Sequence, residues 1–165
     1  MYKCRSEWQT DRKRIKEYSM KMKDVIISIK GTQNDGDGQN NAIELVTDGQ
    51  FSFENGEGVL TYMESELTGL EGTKTSFTIS PLGVILSREG SLNSSMIFEK
   101  GRKHEFVYET PFGSTTMGVD TKKLNVDFNE HGGNMEIEYV VDFQHAVVGY
   151  NLFKINVSEQ RKGSV

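Results

Sequence analysis

Three short stretches carry polar side chains where an apolar face would otherwise continue. In Val84, Leu86 and Arg88 a guanidinium follows two aliphatic residues at the spacing of alternate positions. In Leu60, Tyr62, Glu64 and Glu66 a phenol and two carboxylates share a parity with a leucine, and Phe106, Tyr108 and Thr110 repeat the theme. Tyr139 falls in the apolar set of Met135, Ile137, Val141 and Phe143. If these faces turn inward, one interior holds an arginine, one or two glutamates and several phenols. Burying a charge is costly unless it is paired, so Arg88 is expected to meet Glu64 or Glu66. Two readings follow: a paired polar plug that only fixes the fold, or a polar floor that orients a small ligand. The candidate ligand-binding set is Tyr62, Glu64, Glu66, Arg88, Tyr108 and Tyr139.

Other chemistry finds little support. Gln33–Glu44 can be laid against a calcium loop with Asp35, Asp37 and Glu44 at ligand positions, but Gln33 stands where a carboxylate is needed and the flanks read as strands. A Gly/Asp/Asn hairpin loop explains the same residues. His104, His131 and His145 share no close metal-ligand spacing and read as surface or edge residues. There is no Gly-x-Ser-x-Gly elbow, Walker loop or dinucleotide-binding fingerprint. Cys4 lies far from the candidate set. No catalytic residue, metal or cofactor is therefore expected.

Whatever positions these side chains is built of strands. From Ala42 to Glu54, Ile43, Leu45, Thr47, Phe51 and Phe53 share one face, and Glu44, Asp48, Gln50, Ser52 and Glu54 the other. A period of two over that length means a strand with one buried and one wet face. The pattern returns in Leu124–Phe128, Met135–Phe143 and Phe153–Val157. Asn55-Gly56 supplies the residues of a tight hairpin, and Pro81-Leu82-Gly83, Lys100-Gly101 and His131–Asn134 mark further turns. About ten strand-like segments fit between Asp24 and Ser158, with no convincing helix among them. Short connections favour antiparallel neighbours, and so many strands must close or stack to cover their edges. An up-and-down barrel is the first expectation and a sandwich the second.

Composition sets the outer bounds. The chain has 165 residues, 35% of them hydrophobic, with 17 glycines, one cysteine and net charge −5. That suits one domain with a buried core and leaves no intrachain disulfide framework. No apolar run approaches a membrane span, and the charged N-terminus does not read as a signal peptide, so a cytoplasmic protein is expected. Residues 1–24 hold eight Lys/Arg against four Asp/Glu, whereas the remainder holds 11 against 20. An acidic body repels phosphate backbones, so the main domain is not expected to bind nucleic acid. Cys4, Trp8, Ile15, Tyr18 and Met22 recur at helical spacing. The expected layout is a basic helical arm over 1–22, a barrel over 23–160 and a tail over 161–165.

The segments Y-M-E-S-E-L-T-G-L-E-G-T-K-T (Tyr62–Thr75), G-V-I-L-S-R-E-G (Gly83–Gly90), M-I-F-E-K-G (Met96–Gly101), T-P-F-G (Thr110–Gly113), G-G-N-M-E-I-E-Y (Gly132–Tyr139) and N-L-F-K-I-N-V (Asn151–Val157) occur in this order. Together they resemble the YwiB-like family, small bacterial proteins with a calycin-type β-barrel domain of unknown function. The resemblance spans about Lys23 to Glu159. It implies an eight-stranded, lipocalin-like barrel and a bacterial cytoplasmic origin, and it implies no activity. Lipocalins proper keep a Gly-x-Trp near the first strand; here the one Trp is Trp8, in the arm.

The fold expected is thus all-β: a single antiparallel up-and-down barrel of about eight strands with an N-terminal helical arm. The leading function is small-molecule binding inside the barrel. The alternative is a structural or protein-interaction module with a solidly packed interior, and a homodimer would suit either. An enzyme using the interior acids as general acid and base is a third reading, not favoured because no nucleophile is paired with a base.

Overall fold

Alternation of apolar and polar residues builds almost the whole molecule. The computed structural model describes residues 22–160 and contains ten strands: β1 (Lys23–Asn34), β2 (Asn40–Glu54), β3 (Glu57–Met63), β4 (Lys74–Ser80), β5 (Gly83–Glu89), β6 (Ser94–Phe98), β7 (Lys103–Thr110), β8 (Gly113–Asn129), β9 (Gly132–Phe143) and β10 (Ala146–Glu159). One short 3-10 turn, Glu66–Thr68, interrupts them. The helical arm expected over 1–22, apart from Met22, and the 161–165 tail lie outside the described residues.

All ten strands belong to one antiparallel sheet in the order β6-β5-β4-β3-β2-β1-β10-β9-β8-β7. Neighbours in sequence are neighbours in space, as short turns require. The chain ends are joined directly. β1 pairs with β10 from Val25 opposite Glu159 to Asn34 opposite Tyr150. The ring is nearly closed at the other seam. There β6 and β7 share no ladder, only the bridge in which Asn93 and Glu109 exchange two main-chain hydrogen bonds of 3.0 Å. At the far end of that seam the chain passes from β6 to β7 through Glu99–Arg102, where the Arg102 N–H donates to the Glu99 carbonyl at 3.0 Å.

The count of ten corrects the eight-stranded barrel that the resemblance implied. The alternating segments in the chain number about ten, and each forms its own strand. Because barrel diameter grows with strand number, the correction bears directly on how much room lies inside.

The turns follow their residues. Asn55 and Gly56 adopt φ of 55° and 80° between β2 and β3, the left-handed pair that matches strand twist in a two-residue hairpin. Pro81 and Pro111 lie in turns, where no ladder hydrogen bond is lost. The Asp35–Gly38 loop is held by the Gly36 and Asp37 N–H groups donating to the Asn34 and Asp35 side chains. Glu44, a candidate calcium ligand by spacing, pairs instead with Lys30 on the next strand at 3.5 Å.

Inward positions from every strand meet in one core. At one end Phe51, Phe53 and Phe128 fill the interior, with ring centroids 5.3–6.2 Å apart. A middle layer of Leu60, Phe77, Leu86, Phe98 and Ile137 is buried, whereas Phe53 and Phe128 at the first end are only partly so. Glycine permits one close approach here: a Cβ on Gly49 would lie 2.4 Å from Ile27 Cδ1 and 2.5 Å from the Thr61 carbonyl. Beyond the middle layer the core is no longer filled.

Candidate functional site

The far end of the barrel encloses a cavity of about 450 Å³, bounded below by the packed layers and open at its mouth. Its apolar wall includes Ile29, Leu45, Met96, Phe106, Met117 and Phe153. Its polar wall includes Tyr62, Glu64, Arg88, Tyr108 and Tyr139. Five of the six residues selected by parity therefore share one chamber, contributed by β3, β5, β7, β9 and the segment after β3.

Glu66 does not share it. The alternation through Leu60, Tyr62 and Glu64 predicts that Glu66 also points inward, but β3 ends at Met63 and the chain turns at Ser65. The Ser65 side chain caps the 3-10 turn by accepting from the Leu67 N–H at 3.3 Å. Strand parity no longer applies beyond that cap, and Glu66 is exposed.

Glu64 is 7% exposed and fully engaged. Its main-chain N–H donates to the Thr73 carbonyl at 2.8 Å, extending the β3–β4 ladder. Its carboxylate accepts from the Thr75 hydroxyl at 2.7 Å through Oε1 and from the Thr68 hydroxyl at 2.9 Å through Oε2. The second bond ties the 3-10 turn to the cavity wall.

Arg88 sits one strand further along, opposite Thr75 on one side and Ser94 on the other. The expected pair with Glu64 or Glu66 does not form. Glu64 is held by two threonines, Glu66 is outside, and the guanidinium makes no ion pair or hydrogen bond among the described residues. Its Nε is buried without a partner, as are Ser94 Oγ, in register with it, and Thr121 Oγ1, opposite Tyr139. These three are the buried polar side-chain atoms without a partner among the described residues.

The two deep phenols remain protonated. Burial, then the charge of Glu64, pushes Tyr62 well above the ordinary phenol range, with Arg88 pulling weakly the other way. Burial pushes Tyr139 up to about 12, again against Arg88. Arg88 therefore lies within electrostatic reach of both. The Tyr139 ring is wedged between Phe98 and Phe153, at centroid distances of 4.8 and 5.8 Å. Tyr108 is partly exposed and stands at the rim with Ile43 and Val148.

The parity argument missed several polar members of the wall. Gln33 and Asn151 line the cavity and stand opposite one another on β1 and β10. Extending the alternation back from Phe153 and forward from Ile29 would have found both. Thr68 left no such signal, because its place in the wall depends on the capped 3-10 turn. Among the described residues no group of three His, Cys, Asp or Glu side chains is placed to hold a metal, and no helix is long and apolar enough to cross a membrane.

The architecture defines an all-β antiparallel barrel, a ten-stranded meander with one filled and one hollow end. A family model described as a domain of unknown function, DUF1934, matches residues 27–155. The chain belongs to that family. No curated protein matches it. Among solved structures it is similar to the crystal structure of YwiB protein from Bacillus subtilis, with a TM-score of 0.74 and 22% sequence identity. The match covers 84% of this chain and 93% of that one. At that identity the likeness bears on the fold alone.

Proposed function

We propose that this protein binds a small molecule inside its barrel. The observation that carries the reading is the cavity of about 450 Å³, apolar over most of its wall with a few convergent polar groups. Small-molecule sites have this character, at roughly 300–1,000 Å³. Ten strands rather than eight leave room for it. Native mass spectrometry after gentle purification, paired with a thermal-shift screen, tests the proposal. A ligand at about 100 times its Kd adds about 2.7 kcal/mol, which raises Tm by several degrees in a domain this size. A retained non-protein mass or such a rise is the expected result. Neither appearing across the screen would overturn the proposal.

A second reading, an interaction module, draws on a different observation. Phe112, at the β7–β8 turn beside the cavity mouth, is 100% exposed, and Val147 and Val148 are exposed on the β9–β10 hairpin. Large apolar side chains held in water favour a partner surface. A second copy of the chain is the simplest partner, and sedimentation equilibrium checks it. A dimer lost in Phe112→Ser supports this reading, and a monomer at all concentrations removes it.

A further inference from the structure

The geometry points to a ligand of one chemical class: an apolar body carrying a single anionic head group, a carboxylate or comparable monoanion, seated against Arg88. This inference rests on the small-molecule reading above and specifies its occupant.

Charge supplies the first reason. Among the described residues Arg88 is the one Lys or Arg that lines the cavity, and it makes no ion pair there. The nearest candidate, Glu64, has each carboxylate oxygen committed to a threonine hydroxyl. Glu64 is thus held by hydroxyls rather than in an ion pair with Arg88 among the described residues.

Hydrogen bonding supplies the second. Arg88 Nε is buried and has no hydrogen-bond partner among the described residues. Buried donors left unmade are rare and destabilising. The Arg88 side chain lines the cavity, and a guanidinium fork matches a carboxylate in a bidentate arrangement. The protonated phenol of Tyr139 offers a further donor on the same wall.

The rest of the wall decides the body and limits the charge. Ile29, Leu45, Met96, Phe106, Met117 and Phe153 suit an aliphatic or aromatic moiety. One cation matches one negative charge, and a second would be brought in beside Glu64 without a partner.

Isothermal titration with octanoate, octanol and octylamine at neutral pH, on the wild type and on Arg88→Met, tests the inference. The three probes share a body and differ in the head. Octanoate is expected to bind roughly tenfold or more tighter than octanol, since hydrogen bonds to charged groups are the strong ones. In Arg88→Met that preference should collapse while octanol binding is retained, which also shows that the variant is folded. Arg88→Lys should recover part of it, keeping the charge without the fork. Octanol binding as tightly as octanoate, octylamine binding best, or the preference surviving in Arg88→Met would each overturn the inference and leave the small-molecule reading standing. Silence from all three probes with the wild type would overturn both.

Discussion

Glu64 and Thr75 are joined by a 2.7 Å hydrogen bond at the end of the β3–β4 ladder, and that bond governs the charge balance of the chamber. With Thr68 on its other oxygen, Glu64 is held against the 3-10 turn. Arg88, opposite Thr75 on β5, is left without an ionic partner among the described residues. A polar plug would show the reverse arrangement, with the two charges spending themselves on each other.

Replacing Arg88 with methionine separates the two situations by stability. A paired plug loses roughly 3–5 kcal/mol when one charge is removed, because the other is stranded. Here no ion pair of Arg88 is broken among the described residues and a buried donor without a partner disappears, so Arg88→Met should stabilise the protein by about 1 kcal/mol. Urea denaturation measures it. Destabilisation would mean that Arg88 does hold the fold.

Thr75→Val keeps the shape of the side chain and deletes the hydroxyl. It leaves Glu64 Oε1 buried without its donor, which should cost about 1–3 kcal/mol. It also frees the carboxylate to turn towards Arg88, so anionic probes should weaken while neutral ones do not. Denaturation and titration of the same variant check the two effects together.

The phenols make stability fall in alkali. Tyr139 is pushed up to about 12 in the fold, against about 10 unfolded. Between those pH values the unfolded chain loses a proton that the folded one keeps, so the stability present below pH 10 declines by up to about 1.4 kcal/mol per pH unit for each such group. Tyr62 is raised further and adds to the slope. Tyrosinate absorbance should show Tyr62 and Tyr139 titrating late, and Tyr139→Phe should flatten the stability profile between pH 10 and 12. An unchanged profile would contradict the burial described for Tyr139.

Gly49 is the least replaceable glycine within a strand interior near the site. A methyl there would meet Ile27 Cδ1 at 2.4 Å, the Thr61 carbonyl at 2.5 Å and Tyr62 Cβ at 3.3 Å. The carbonyl cannot retreat without disturbing the β2–β3 ladder, so Gly49→Ala should cost roughly 1–3 kcal/mol and shift Tyr62 in the wall. Thermal denaturation checks the first, and loss of probe affinity the second.

Much of this was legible in the residues. The alternation in Ala42–Glu54 and Met135–Phe143 is strict enough to fix strand, face and inward set, and the inward parity of Tyr62, Arg88, Tyr108 and Tyr139 followed from it. The Asn55-Gly56 hairpin was equally plain. What failed had non-local causes. Glu66 left the pattern because Ser65 ends the strand with a cap. The pairing of Glu64 with threonines rather than arginine depends on the register of β3, β4 and β5 and on the fold-back of the 3-10 turn, and no periodicity within one segment encodes either. The strand number is carried by the alternating segments, which become ten strands, and not by the resemblance, which implies eight.

The two seams of the barrel have complementary defects. At β1–β10 the polypeptide is interrupted while the hydrogen-bond ladder is continuous; at β6–β7 the ladder is interrupted while the polypeptide is continuous through Glu99–Arg102. Each kind of linkage spans the gap left by the other. A circular permutant that fused Glu159 to Lys23 and opened the Glu99–Arg102 turn would bring both interruptions to one place, leaving a sheet free to unroll where the native ring cannot.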